Sequence, residues 1–203
     1  MPATAAPAVS STVGLKNMVL APVTADTETE TTYGALQKIA GAIEASITPE
    51  NTDPDVQYFD DVEGDVLYPD PELSFKTKLA DLPLSIQEMI FSNEIDDNGV
   101  LIRKASDKPG YFAVGFMSEK ANGQYRYVWL FKVRAKPVTE SYATKEGKTI
   151  TRQTGEVEWT AIKRTSDGRY QAIADEGENG FTEAKAATFL DTVYTPVFTP
   201  AGE

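Results

Sequence analysis

The chain contains no cysteine and no histidine. Without cysteine, disulfides, thiolate metal sites and cysteine nucleophiles are excluded. Without histidine, the commonest general base, the commonest metal ligand and the usual switch near neutral pH are missing as well. Any catalysis or metal binding would therefore have to use carboxylates and hydroxyls.

Long apolar runs are also missing, since no stretch approaches the roughly 20 residues that cross a bilayer. The segment Met1–Ser11 is rich in Ala, Pro, Ser and Thr but lacks the charged start and continuous apolar stretch of a secretory signal. We therefore expect that the protein is synthesised in the cytoplasm and does not associate with a membrane. The length of 203 residues predicts a flexible arm over 1–13, one domain over 14–193 and a C-terminal extension over 194–203.

Charge is distributed unevenly along the chain, which carries 31 acidic and 19 basic residues and a net charge of −12. Residues 40–75 include ten acidic residues and no Lys or Arg, whereas 120–169 include eleven basic and five acidic residues. The two segments could pair within one monomer. Alternatively, the acidic segment of one copy could dock on the basic surface of the next copy.

Alternating apolar and polar residues predict a mainly β, antiparallel fold. Residues Tyr111–Met117 and Gln124–Arg134 flank Asn122-Gly123, which is a strong signal for a tight hairpin. The second of these strands would have an aromatic core face and a basic or mixed outer face. Further strands are predicted over Glu72–Ala80 and through Trp159, so a β-sandwich or partly closed barrel is the natural architecture.

One α-helix, over about 82–93, is predicted to flank the sheet. Asp81 could cap it, Pro83 is tolerated in the first turn, and Leu82, Ile86, Met89 and Ile90 fall on one face. A second, shorter helix is plausible from Thr182, whose side chain can also cap.

Within the acidic residues 40–75, the name acidic segment is kept below for residues of about 48–71. Four prolines and a glycine there exclude a long helix or a central strand. We interpret it as a long loop or an irregular hairpin. A disordered linker would seldom carry so many large apolar side chains, so the segment is expected to order against another surface.

Several constellations could carry chemistry, and each has a plainer interpretation. Asp96, Asn98 and Gly99 have calcium-loop spacing, but the twelfth position is Ala105 instead of the bidentate Glu, which favours an ordinary turn. Trp129 or Trp159 could stack a sugar beside a carboxylate pair, and the aromatic strand faintly resembles a single-strand nucleic-acid platform. Core packing and solvated carboxylates are the favoured interpretations, so we predict no catalytic, cofactor or metal site and no enzyme.

Four motifs together resemble a known family. They are GYFAVGF from Gly110, NGQYRYVWLFKV from Asn122, the stretch Thr151–Ala161 with Gly155 and Trp159, and IAGAIEA from Ile39. The chain resembles the major tail, or tail tube, proteins of siphophages that infect Gram-positive bacteria, over residues from Val13 to about Phe198.

That resemblance implies a tail-tube-like β-sandwich or barrel with a flanking helix, and hexameric rings that stack into the virion tail after assembly in the host cytoplasm. It implies a tape measure protein, a tail terminator and distal tail proteins as partners, and DNA that passes through without specific binding. It also makes the acidic segment an inter-subunit loop. The loop candidates are Asp53, Asp55, Tyr58, Phe59, Asp60, Asp61, Glu63, Asp65 and Tyr68.

Glu156 and Glu158, on the polar side of a predicted inner strand, are candidates for lining the lumen. Two other functions remain open. One is another ring-forming virion component, such as a tail terminator or head–tail joining protein. The other is a carbohydrate-binding β-sandwich domain that uses Trp129 or Trp159.

Overall fold

A computed structural model describes residues 10–50, 53–59, 62–67, 72–138 and 155–198. These residues form thirteen strands and two helices, which confirms the mainly β prediction. In chain order they are β1 (Thr12–Asp26), β2 (Thr31–Tyr33), β3 (Gln37–Ile39), β4 (Ala42–Glu50), β5 (Asp55–Phe59), β6 (Val62–Leu67), β7 (Glu72–Leu79), α1 (Leu84–Phe91), β8 (Glu94–Ile95), β9 (Leu101–Ile102), β10 (Tyr111–Lys120), β11 (Tyr125–Ala135), β12 (Gly155–Ala161), β13 (Gln171–Asp175) and α2 (Glu183–Thr188).

The main sheet is antiparallel and has the strand order β2-β1-β10-β11-β12-β7-β4, with β3 added to β1 and β13 added to β11. Strands β1 and β4 lie far apart in this order but approach each other in space. The sheet therefore curls back on itself. No hydrogen-bonded ladder joins β1 to β4 within the described residues. The architecture is sandwich-like, which agrees with the β-sandwich or partly closed barrel predicted from the sequence.

The larger core lies on one side of this sheet. Phe75, Phe116 and Trp159 are buried there, and the Trp159 indole N–H donates to Thr77 Oγ1 at 3.0 Å. Helix α1 covers part of this core with the fully buried Ile90. The apolar stripe predicted for the helix therefore packs on the sheet, as amphipathic spacing requires.

A second core lies on the other side of β11, where Tyr127, Trp129 and Phe131 are buried beneath α2 and Phe189. The Trp129 indole N–H donates to the Phe189 carbonyl at 3.0 Å. The predicted basic or mixed outer face of β11 is therefore wrong, because alternate residues such as Val128 and Leu130 belong to the larger core. Strand β11 is covered on both sides.

The hairpin predicted at Asn122-Gly123 is confirmed: it joins β10 to β11, and Gly123 has a φ of +83°. The positive φ explains why glycine occupies this position, since residues with a side chain rarely adopt a positive φ. In β10 another glycine has a packing role, because a Cβ at Gly115 would lie 2.7 Å from the Trp129 ring.

The helix boundaries differ from the prediction of about 82–93. Helix α1 spans Leu84–Phe91, Pro83 occupies its N-cap position, and no side chain caps it. Asp81 instead accepts a hydrogen bond from the Leu82 N–H, at 2.8 Å. The capping role of Thr182 in α2 is confirmed, because its side chain accepts from the Lys185 N–H.

The predicted arm over 1–13 is too long, since β1 begins at Thr12 and hydrogen bonds join Ser10 and Ser11 to the turn at Ala121 and Asn122. Residues 1–9 lie outside the described part. At the other end, Tyr194 packs against Phe189. Among the described residues, no helix is long and apolar enough to span a membrane.

Candidate interaction hairpin

The described middle part of the acidic segment forms a β-hairpin. Strands β5 and β6 pair antiparallel and form their own two-stranded sheet, separate from the main one. The predicted long loop over 48–71 is therefore corrected to the hairpin alternative. Strand β4 also runs on to Glu50 through Pro49. Proline is tolerated there because β4 lies at an edge of the main sheet.

The hairpin stands away from the body of the protein. Strands β5 and β6 contact each other extensively and have no more than isolated contacts with any other described element. Its large apolar side chains are exposed, with Tyr58 64%, Phe59 58% and Val62 66% accessible. A lone two-stranded hairpin is at best marginally stable in water, and an exposed apolar cluster marks an interaction surface. The hairpin therefore has the properties of a docking element.

Three acidic residues of the hairpin, Asp53, Asp55 and Asp65, lack basic partners among the described residues. Asp53 and Asp55 are exposed, and Asp65 accepts a hydrogen bond from the Val66 N–H at 2.9 Å. No ion pair connects these three carboxylates to any described lysine or arginine. The predicted candidates Asp60, Asp61 and Tyr68, and the side chain of Glu63, lie outside the described residues.

The basic half of the chain is paired with other carboxylates. Lys132 contacts Asp26 at 2.5 Å, although the two residues are 106 positions apart. Asp26 also accepts hydrogen bonds from Thr31 and from Thr165. Burial alone would raise the pKa of Asp26, but these hydrogen bonds, with that of Lys132 the strongest, lower it to about 2.

A second carboxylate joins β13 to the hairpin of β10 and β11. Asp175 accepts two hydrogen bonds from Arg126, both at 2.7 Å, and contacts Lys120 at 2.7 Å. The Arg126 bonds are the largest cause of the lowered pKa of Asp175, which is about 2 in spite of its burial. The Asp26 and Asp175 pairs stabilise the monomer, and sequence reasoning missed them because each connects distant segments.

The two lumen candidates lie on the polar side of β12, next to β7. Glu158 forms ion pairs with Lys76 and, at 3.6 Å, with Lys136, and the Lys76 hydrogen bond lowers the pKa of Glu158. Glu156 is the cross-strand partner of Lys78. This surface carries alternating charges, and Glu158 is neutralised there by lysines of its own monomer.

The constellation at Asp96 is an ordinary turn between β8 and β9. Asp96 Oδ1 accepts from the N–H groups of Asn98 and Val100 at 2.9 and 2.8 Å, and Gly99 has a φ of +80°. Within the described ranges, no group of three or more acidic side chains could hold a metal ion.

Both tryptophans are buried, Trp129 with 0% and Trp159 with 2% of its surface exposed. Neither indole can stack on a sugar, which removes the residues on which the carbohydrate-binding alternative depends. The aromatic side of β11 is likewise core and not a nucleic-acid platform. Compared with known proteins, the chain matches no family model and no curated protein.

Proposed function

We propose that the protein is the building block of the tail tube of a long, non-contractile phage tail. Copies form hexameric rings that stack into a conduit for the genome. The observation that carries this proposal is the β5–β6 hairpin, which projects from the barrel with exposed aromatic side chains and with three carboxylates, of Asp53, Asp55 and Asp65, that have no ion-pair partner among the described residues. The sequence motifs that resemble tail tube proteins lie in β10 and β11, in β3 and β4, and, for the described part of the stretch that ends at Ala161, in β12.

The hairpin suits a contact between two different surfaces of identical subunits. A head-to-tail contact of this kind leaves a free hairpin on one copy and a free receiving surface on the next, so it continues into rings or stacks. Projecting carboxylates can steer such association and exclude wrong registers, while apolar side chains supply the affinity. This combination favours a self-assembling subunit over a monomeric binding domain.

The polar side of β7 and β12 is the proposed lumen surface, with Glu156 and Glu158 among its residues. Its alternating charges, on a chain with a net charge of −12, would not bind phosphates tightly. Genome DNA would then pass without specific binding. Tape measure, tail terminator and distal tail proteins are the expected partners in the virion.

The lumen assignment has its own test. Replacing Glu156 and Glu158 with lysine should slow genome ejection by binding DNA phosphates, while tubes still form. A matched control replaces Glu28 and Glu30, in the turn between β1 and β2, with lysine. Ejection rates that are equal in the two variants would remove β12 from the lumen.

A ring-forming component at the end of the tail, such as a tail terminator or head–tail joining protein, is the second candidate, since the same hairpin could close a single ring. Electron microscopy of purified protein over a range of concentrations separates the two candidates. Long hollow tubes support the tail tube, whereas single rings support the alternative. Protein that stays monomeric at every concentration would contradict both.

A further inference from the structure

The curled sheet is open along a seam between β1 and β4. One edge of β1 pairs with β10. The other edge pairs with β3 at Met18–Leu20 and with β2 from Val23 onwards. No described strand pairs with that edge over residues 12–17, and β4 pairs only with β7 in the described part of the chain. Both edges therefore present unpaired backbone N–H and C=O groups, which can template the addition of another strand.

A cavity of about 450 Å³ lies at this seam, and its lining is cationic and apolar. The lining includes Leu15, Ile39 and Met117 together with Lys16 and Lys38, and none of its described residues carries a carboxylate. Lys16 pairs with Glu119 at 2.5 Å. Lys38 is exposed and has no carboxylate partner among the described residues. Because Glu119 already neutralises Lys16, Lys38 supplies the unpaired positive charge of the seam, and the apolar lining complements the apolar side chains of the hairpin.

The strand register places the hairpin and the seam at opposite ends of the barrel. Glu50 pairs with Glu72 where the hairpin leaves the sheet, and the ladders through β12, β11 and β10 put Pro22 of β1 at this same end. The seam lies where β1 and β4 begin, at Thr12 and Ala42. Two complementary surfaces at opposite ends meet only between different copies.

We infer that the seam between β1 and β4 of one copy receives the β5–β6 hairpin of the next copy. This inference rests on the proposed function and specifies the receiving surface. Residues 53–65 carry six carboxylates and no lysine or arginine, which suits the unpaired Lys38. An added hairpin strand would also satisfy the unpaired edge of β1 or β4.

Cysteine cross-linking tests the inference directly, because the chain has no native cysteine. One variant carries Gln57→Cys in the hairpin and the other carries Ala40→Cys at the seam, both at exposed positions. Mixed, assembled and oxidised, they should form a disulfide-linked dimer in high yield. The control partner is Asn179→Cys, exposed in a turn near α2. Its yield with Gln57→Cys should be at least tenfold lower.

A charge exchange provides the second test. Lys38→Glu alone and the double variant Asp53→Lys with Asp55→Lys should each assemble at least tenfold less readily than the wild type. An equal mixture should recover assembly, because every contact in an alternating array is then complementary. Added salt should weaken wild-type assembly, because it screens the attraction between the hairpin carboxylates and the seam.

The outcomes separate this inference from the proposed function. Wild-type protein that never assembles overturns both. Wild-type tubes without Ala40–Gln57 cross-linking, or without recovery in the mixture, overturn the seam as receiving surface and leave the tail tube proposal standing.

Discussion

Removing the two exposed aromatic side chains of the hairpin should block assembly without unfolding the monomer. The variant is Tyr58→Ser combined with Phe59→Ser. Tyr58 is 64% and Phe59 58% exposed, and neither belongs to the two buried cores. Their substitution therefore costs the barrel little, whereas a subunit contact that buries them would lose most of its apolar area.

The size of the effect follows from the exposed fractions. A large aromatic side chain offers about 200 Å², so each retains about 120 Å² that an interface can bury, worth about 3 kcal/mol at 25 cal/mol per Å². If the contact gains only half of the combined value, about 3 kcal/mol, the association constant falls roughly a hundredfold.

Light scattering over a concentration series measures the weaker association as a rise in the protein concentration at which polymer appears. Thermal unfolding of the same variant measures whether the monomer keeps its stability. Ile173→Ser is the matched control, because Ile173 on β13 is 57% exposed but lies outside the hairpin. The control should assemble like the wild type. Unchanged assembly of the Tyr58 and Phe59 variant would refute an assembly role for the hairpin.

Three further predictions concern the barrel. Gly115→Ala should destabilise it by about 1–3 kcal/mol through the clash of a Cβ with the Trp129 ring, read as a lower Tm; an unchanged Tm would contradict this packing. Asp26→Asn should cost about 3 kcal/mol in urea unfolding because it leaves the largely buried side chain of Lys132 without its carboxylate partner. An effect below about 1 kcal/mol would show that the pair is dispensable. The pKa of Asp26 and that of Asp175 are each depressed to about 2 from 3.8, so each carboxylate contributes about 2 kcal/mol to the free energy of unfolding. This contribution is complete above about pH 4 and is lost as the pH falls towards 2. A free energy of unfolding that stays constant over that pH range would contradict the prediction.

The sequence predicts correctly those elements that are determined by residues close together in the chain. The alternation in β7, the Asn-Gly turn before β11 and the capping of α2 by Thr182 each depend on residues that are neighbours in sequence, and each prediction is confirmed. Alternation predicts which residues of β11 share a side. It cannot predict that a buried core lies on each side of β11, so the mixed face is interpreted from the sequence as an outer face.

The candidate site was predictable in position but not in form. Prolines and carboxylates marked the acidic segment, and its apolar residues indicated an interaction. The same prolines concealed two strands, because Pro49 lies in an edge strand that tolerates it and the hairpin pairs only with itself. The pairing of Glu158 with Lys76 depends on strand register, and the contact of Asp26 with Lys132 depends on tertiary folding, so neither has a local signal.

The most direct measurement is an electron cryomicroscopy reconstruction of protein assembled at high concentration. We expect a hollow polymer in which the β5–β6 hairpin of every copy contacts a neighbouring copy. A hairpin folded onto its own barrel, or particles that remain single at all concentrations, would contradict the assembly role proposed for this chain.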